Sequence, residues 1–391
     1  MITSNKTRAI AMIAAAVVGV LAIAGWAVNA FLNRVPDEIS IGVSQPLTGD
    51  LGRMGKDLLN GAELAVDEIN ARGGVPIGGK KVRLALVSVD DKSDPETGKA
   101  AARQLVDAGV VVAIANLNSG VSIQAAPVYA KAGIPQLAIS TNPQYTRLGH
   151  PTTLRLVAND DMQARAISSF ALQLGEQRRI AVVDDGTTYG KGLAQQVGQA
   201  LLSAGRTLSF KESLDSKVTT FAPLVQQLAK SKTDLLITTM SDFQVAALAD
   251  QLNAAGLSGI SIMGGDMLKT DLMRTAYQKV AHLYATSPIL DAKEFPNGQR
   301  FLTAFRARFG SEPVYGAHYV YDAIHVVADA LSRNRSVDTK QLLKRLKEFD
   351  GNAPVSSMMR FDSMGEQRYA TVSVYELEAK GWDPLVRSDK W

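Results

Sequence analysis

The sequence predicts an α/β protein of two doubly wound domains, preceded by an apolar segment of different character. Three observations predict it. From Asp37 onward, short β-rich runs alternate with helical periodicity, a pattern that implies parallel sheets covered by helices on both faces. The alternation comes in two consecutive series, the second opening near Asp160. The chain has 391 residues, 46% of them apolar and 20% charged, which suffices for two cores at about 100–200 residues per domain.

The first thirty residues stand apart. Lys6 and Arg8 precede an almost unbroken apolar run from Ala9 to Ala27, with small residues at Val28 and Ala30. This reads either as a secretory signal cleaved after Ala30 or as a retained membrane-spanning anchor, with Trp26 suited to the interface. Apolar residues on every face are taken to argue against the remaining alternative, a buried helix of a soluble domain. In both readings the basic start holds the N-terminus inside, and the rest of the chain lies outside the cytoplasmic membrane. The segment carries two bases and no acid, so removing it lowers the formal charge from +4 to near +2.

The first series opens with the strand Ile39–Ser44. Helix 55–72 follows, with Leu58, Ala62, Ala65 and Ile69 on one face. Strand Val82–Val89, helix 95–108, strand Val110–Ala115, helix 122–132 and strand Gln136–Ile139 continue the rhythm. Asp94 before Pro95 is an N-cap with proline at the first helical position. The second series runs through helix 161–174, strand Ile180–Val183, helix 190–204, strand 206–211, helix 220–231, strand Asp234–Thr238, helix 243–255 and strand 260–263. After Pro288 come helices near 296–309, 315–333 and 339–347, then two closing strands.

Composition excludes much. With no cysteine there is no disulfide framework, no thiol nucleophile, no cysteine-held metal and no lipidated cysteine. With 42 bases against 38 acids and no basic run, a nucleic-acid partner is not indicated. Gly74–Lys81 approaches a phosphate-binding loop, but Lys81 stands where a Ser or Thr is needed, and a strand follows instead of a helix. A turn is the better reading. Asp90, Asp91 and Asp94 lack calcium-loop spacing. His318 and His325 lie two turns apart on one helix, where packing is a better account than metal binding. No cofactor and no metal are expected.

Loops beyond strand C-termini are where open α/β sheets hold ligands. Three such loops are rich in hydroxyl and amide groups: Asn116–Gly120, Ser140–Pro143 and Thr187–Gly190. The first sets a hydroxyl beside free helix N–H groups, which suits a carboxylate. A fourth loop, Met263–Asp266, places a carboxylate where it could pair with an ammonium. Ordinary helix capping is the competing account of each.

At these loops the chain resembles the type I periplasmic binding proteins, specifically the leucine/isoleucine/valine-binding branch that serves ABC importers. From about Glu38 to the C-terminus the resemblance rests on ordered segments: PLTGDLGRMGKDLLNGAELAVDEINARGG, VDDKSDPETGKAA, NLNSG with PVYAKAGIP, STNPQYTRLG, RIAVVDDGTTYGKGLA and the late VYDA. It implies two Rossmann-like lobes joined by three crossovers and closing on ligand. Residues 37–159 plus 287–371 would form the first lobe, and 160–286 plus 372–391 the second. It also implies site roles. Ser119 and Thr141 would hold a ligand carboxylate, with the Ser140 carbonyl beside them. Asp266 would receive an ammonium, Tyr189 would cover the ligand, and Asp160 would mark the first crossover.

The sequence departs from the family at the pocket. Met54 and Ser241 stand where aromatic residues are common, and Asp266 is one methylene shorter than the usual glutamate. Tyr315 is a candidate aromatic wall from the first lobe. The resemblance therefore implies a monomeric, exported, non-enzymatic receptor that delivers a small zwitterion, first an aliphatic amino acid, to an ABC permease in the periplasm. A sensor of the same fold, or a binder of amides, urea or aromatic acids, is the alternative.

Overall fold

The computed structural model describes residues 35–388 except 176 and 335. The predicted signal or anchor at residues 1–30 lies outside them. Among the described residues no helix is long and apolar enough to cross a membrane.

The first sheet holds β1 (Glu38–Gln45), β2 (Val75–Ile77), β3 (Lys80–Asp90), β4 (Ala113–Ala115), β5 (Gln136–Ala138) and β6 (Thr153–Arg155) in the order β2-β3-β1-β4-β5-β6. The second holds β7 (Ile180–Asp184), β8 (Leu208–Ser213), β9 (Leu235–Thr238), β10 (Ser261–Gly264), β11 (Leu283–Ser287), β14 (Ser373–Glu378) and β15 (Gly381–Arg387) in the order β15-β14-β11-β10-β9-β7-β8. A separate hairpin pairs β12 (Asp350–Ala353) with β13 (Ser357–Arg360). Each sheet with its packed helices forms one lobe.

The sheets are mixed, where alternation alone predicts parallel pairing. β2 pairs antiparallel with β3, because the Gly78–Gly79 turn, with φ of 55° and 86°, folds the two into a hairpin. β14 and β15 also pair antiparallel, extending the second sheet beyond β11. The strand predicted at Val110–Ala115 shrinks to three residues. Gly109 turns the chain at φ 71°, and the Val110 N–H still closes the preceding helix on the Leu105 carbonyl at 3.3 Å. The strand predicted at 206–211 runs instead over Leu208–Ser213, and β2, β6, β11 and the β12–β13 hairpin were not foreseen.

Helix Gly52–Ala71 buries Leu58, Ala62, Ala65 and Ile69, the stripe its periodicity predicts. Asp94 caps helix Pro95–Asp107 by accepting from the Thr97 N–H at 2.8 Å. After β6 the chain enters helix Asp160–Gln173, whose Ala164 and Ile167 share a core with β7. After β11 it returns: helices Gly298–Phe309, Ala317–Ser332 and Thr339–Lys347 bury Phe305, Ile324 and Leu342 in one core with β1 and helix Gly52–Ala71. It then leaves again to add β14 and β15 to the second sheet. Of the two histidines on helix Ala317–Ser332, His318 packs within ring contact of Phe295, Phe301 and Tyr319, and burial pushes it down to about 4.

Candidate functional site

A cavity of about 560 Å³ opens between the two sheets. Every loop lining it follows the C-terminal end of a strand, as the geometry of open α/β sheets requires. Residues 48–51, 92–95, 117–121, Ile139 and Thr141 come from the loops after β1, β3, β4 and β5. Residues 185–189, 216–217, Ser241, Phe243, Asp266 and Met267 come from those after β7, β8, β9 and β10. The volume falls within the range of about 300–1,000 Å³ typical of small-molecule sites.

On the first-lobe side the wall is a helix N-terminus. The helix starts at Ser119, three residues earlier than its apolar periodicity suggests. Its first internal bond runs from the Ser122 N–H to the Asn118 carbonyl at 3.0 Å, so the N–H groups of residues 119–121 have no intrahelical partner. The N-cap Asn118 makes no side-chain cap bond, and its Oδ1 is buried without a partner. Ser119 Oγ accepts the Asn142 N–H at 3.2 Å, which leaves the hydroxyl proton free to donate. Free N–H groups, a hydroxyl and the positive end of the helix dipole converge here, an arrangement suited to an anion. Thr141 lines the same wall and is 3% exposed.

On the second-lobe side stands Asp266, 3% exposed. Its Oδ1 accepts from Tyr189 Oη and from Gln163 Nε2, both at 2.9 Å, and its Oδ2 accepts from Tyr315 Oη at 2.7 Å. Burial, then the adjacent Asp266 carboxylate, raises both tyrosines well above the ordinary phenol value, so both stay protonated as donors. No lysine, arginine or histidine pairs with Asp266 among the described residues. Gly265 makes room for Tyr189: a Cβ at that position would lie 2.1 Å from Tyr189 Oη.

Asp160, fully buried, donates its N–H to the Thr141 carbonyl at 2.8 Å and accepts Gln163 Nε2 on Oδ1 at 2.9 Å. Its Oδ2 makes no hydrogen bond of good geometry, although the Thr141 side chain lies close enough to pull against the upward push of burial. Burial first, and the Asp266 charge second, push its carboxyl up to about 7. Gln163 thus bridges two carboxyl groups, and its own Oε1 accepts from Thr286 Oγ1 at 3.1 Å.

Contacts across the cavity hold the lobes together. Asn142 Nδ2 donates to the Thr188 carbonyl at 3.0 Å, and Tyr315 reaches Asp266 from the opposite lobe. Arg53 lies 3.9 Å from Asp242.

The structure brings Ser119, Thr141, Tyr189, Ser241 and Asp266 to one cavity. Tyr315 touches Asp266 through its hydroxyl and is not part of the cavity wall. Ser241 lines the cavity and also opens a capping box with Gln244. Met54 does not line it: at 3% exposed it belongs to the apolar core of the first lobe. Ser140 and Asp160 stay behind the wall. The Ser140 carbonyl, expected to face a ligand, instead accepts from the buried guanidinium of Arg155. Sequence reasoning missed Lys92, Lys217 and Phe243 in the wall, as well as Gln163 and Arg155 behind it. The strand-end rule, which did pick out the Thr187–Gly190 loop, was the one signal that could have found the first three.

Residues 38–381 match the family described as periplasmic binding protein. Over 359 residues the chain is 30% identical to Leu/Ile/Val-binding protein homolog 1 of Brucella abortus (strain 2308), covering 91% of this chain and 95% of that one. In structure it is similar to the leucine binding protein LivK of Thermotoga maritima, with a TM-score of 0.80 at 23% identity, covering 90% of this chain and 100% of that one. It is also similar to LivJ of Streptococcus pneumoniae in complex with isoleucine, with a TM-score of 0.77 at 22% identity, covering 89% and 99%. At those identities the structural likeness concerns the fold.

Proposed function

Because the chain belongs to the periplasmic binding protein family, we propose that it is the exported substrate-binding component of an ABC importer, with an aliphatic α-amino acid as ligand. One observation carries the proposal. A single cavity offers free helix N–H groups from one lobe and, from the other, an aspartate that has no cationic partner among the described residues. A zwitterion satisfies both ends at once.

In this reading Ser119, Thr141 and the N–H groups of residues 119–121 take the ligand carboxylate on the first lobe. Closure then brings Tyr189 over the ligand and Asp266 to its ammonium. Leu117, Ile139 and Met267 supply apolar wall for an aliphatic side chain. Residues 1–30 direct export, and the partner on release is a membrane permease. Leucine, isoleucine and valine are the first ligands to test.

The experiment is a thermal-shift series with L-leucine, 4-methylpentanoate and isoamylamine. The amino acid should raise the melting temperature in proportion to its excess over Kd. The two analogues each leave one end of the site unpaired and should fail to do so. If benzoate or a small amide raises melting and no α-amino acid does, the reading is wrong. Ser119→Ala removes one hydroxyl donor while sparing the backbone donors, and calorimetry with L-leucine should show a loss of about tenfold in affinity. An unchanged affinity would remove Ser119 from the carboxylate site.

Proton linkage gives a second check. Asp160, at about 7, is close to half protonated at neutral pH. An ammonium arriving at Asp266 offsets the negative field that helps keep Asp160 protonated, so binding favours the ionised form and releases a proton. Calorimetry in buffers of different ionisation enthalpy should count release near pH 7 that fades about two pH units higher. Asp160→Asn should abolish it. The sign for stability follows too. A carboxyl raised by burial contributes most below its unfolded value of 3.8, and that contribution is lost as pH rises through about 7.

A further inference from the structure

Asp57 lies in the second turn of helix Gly52–Ala71, is 4% exposed, and pairs with no cation among the described residues. Its carboxylate instead accepts three backbone N–H groups: Val314 on Oδ1 at 2.8 Å, and Tyr315 and Ala317 on Oδ2 at 3.0 Å each. These donors form the turn that opens helix Ala317–Ser332. The N-cap there is Gly316, which has no side chain to satisfy the free N–H groups of a helix start. Asp57 therefore caps this helix from another helix, and the dipole of the capped helix favours its charge. Burial raises the group to about 6, against the pull of its backbone donors.

A second observation points the same way. Gly61 is one turn beyond Asp57 on the same helix face. A Cβ there would sit 2.0 Å from the Ala317 carbonyl oxygen. The bare position lets helix Gly52–Ala71 approach the turn closely enough for the carboxylate to reach it. The side chain that this turn carries outward is Tyr315, whose hydroxyl donates to Asp266 of the opposite lobe at 2.7 Å.

We infer that Asp57 is a positioning residue for ligand capture: by capping residues 314–317 it sets the Tyr315 hydroxyl against Asp266 and so favours the closed arrangement of the lobes. The inference rests on the reading of Asp266 as the ammonium site, and its test separates the two. The absence of native cysteine allows a clean pair of spin labels, one at Arg103→Cys in the first lobe and one at Gln226→Cys in the second, both exposed. Ligand-free distance distributions are compared for the otherwise wild-type labelled chain, Asp57→Asn, Tyr315→Phe and the double variant.

Each single variant should move population to the open distance, and the double variant should move it no further than either one. With L-leucine as probe, Asp57→Asn should weaken binding about ten- to a hundredfold in the wild-type background and hardly at all in the Tyr315→Phe background. If Asp57→Asn lowers the melting temperature but leaves the distances unchanged, or if the effects add, Asp57 serves stability alone and the inference fails. If the wild type does not bind L-leucine, the proposed ligand fails while the distance comparison still decides the role of Asp57. Asp57→Ser, which retains one acceptor, stands in if the asparagine variant does not fold.

Discussion

Asp266→Asn should weaken L-leucine binding by about 30- to 4,000-fold, the range for removing one partner of a buried hydrogen-bonded charge pair at about 2–5 kcal/mol. The carboxylate accepts from Tyr189, Gln163 and Tyr315 and still has acceptor capacity for an ammonium. An amide of the same shape has one acceptor oxygen, and its NH₂ would face either the two donors on Oδ1 or the Tyr315 hydroxyl. The ammonium would then lose its direct carboxylate partner, with only Asp160 behind the wall, at a site where closure of the lobes makes an unpaired charge costly. The fold should persist, because removing a buried charge also relieves its desolvation and its repulsion of Asp160. Calorimetry with L-leucine and a thermal melt of the same sample check both halves. Wild-type affinity in Asp266→Asn would overturn the amino-acid assignment.

That prediction depends on residues of unequal legibility. The doubly wound pattern, the core stripe of helix Gly52–Ala71 and the Asp94 cap could be read directly, because each is a local signal of period, spacing or capping chemistry. The hydroxyl-rich loops were legible because strand-end loops have a fixed place in open sheets. The exact helix start at Ser119 was not. Leu117, Asn118, Ser119 and Gly120 give no helical period, yet that start determines which N–H groups face the cavity. The Tyr315–Asp266 contact spans 49 positions and two lobes, and no local pattern encodes such a meeting. Met54 failed as a pocket residue for the converse reason: an apolar side chain near a helix start reads equally well as wall or core, and only the packing decides. Arg155 is the sharpest case. A charged residue ending a three-residue strand looks exposed, and its burial becomes intelligible only once Glu366, 211 positions away, is set beside it.

Arg155→Met should be the most destabilising single change near the site, at about 3–5 kcal/mol, the cost of removing one partner from a buried ion pair. The guanidinium has no exposed surface. Its Nε donates to Glu366 Oε2 at 3.0 Å, one terminal nitrogen donates to the Asn142 carbonyl at 2.8 Å, and the other donates to the Ser140 carbonyl. The ring of Tyr145 lies 5.4 Å from its centre. Methionine fills the volume and satisfies none of these acceptors: Glu366 loses its charge partner and keeps only the Thr146 hydroxyl, the Asn142 carbonyl keeps only the Tyr145 N–H, and the Ser140 carbonyl loses the guanidinium. Urea unfolding should show a lower midpoint with an unchanged m value, since the surface exposed on unfolding is the same. Arg155→Lys should recover only part of the loss, because a compact ammonium cannot reproduce the planar fork that serves three acceptors in different directions. Adding Glu366→Leu to Arg155→Met should recover the carboxylate share and leave the carbonyl share, which apportions the two. The loop these carbonyls belong to carries Thr141, so L-leucine affinity should fall in Arg155→Met even at temperatures where the variant is fully folded. A folded Arg155→Met with wild-type affinity would mean that the loop keeps its shape without the guanidinium, and that Thr141 owes its position to the strand alone.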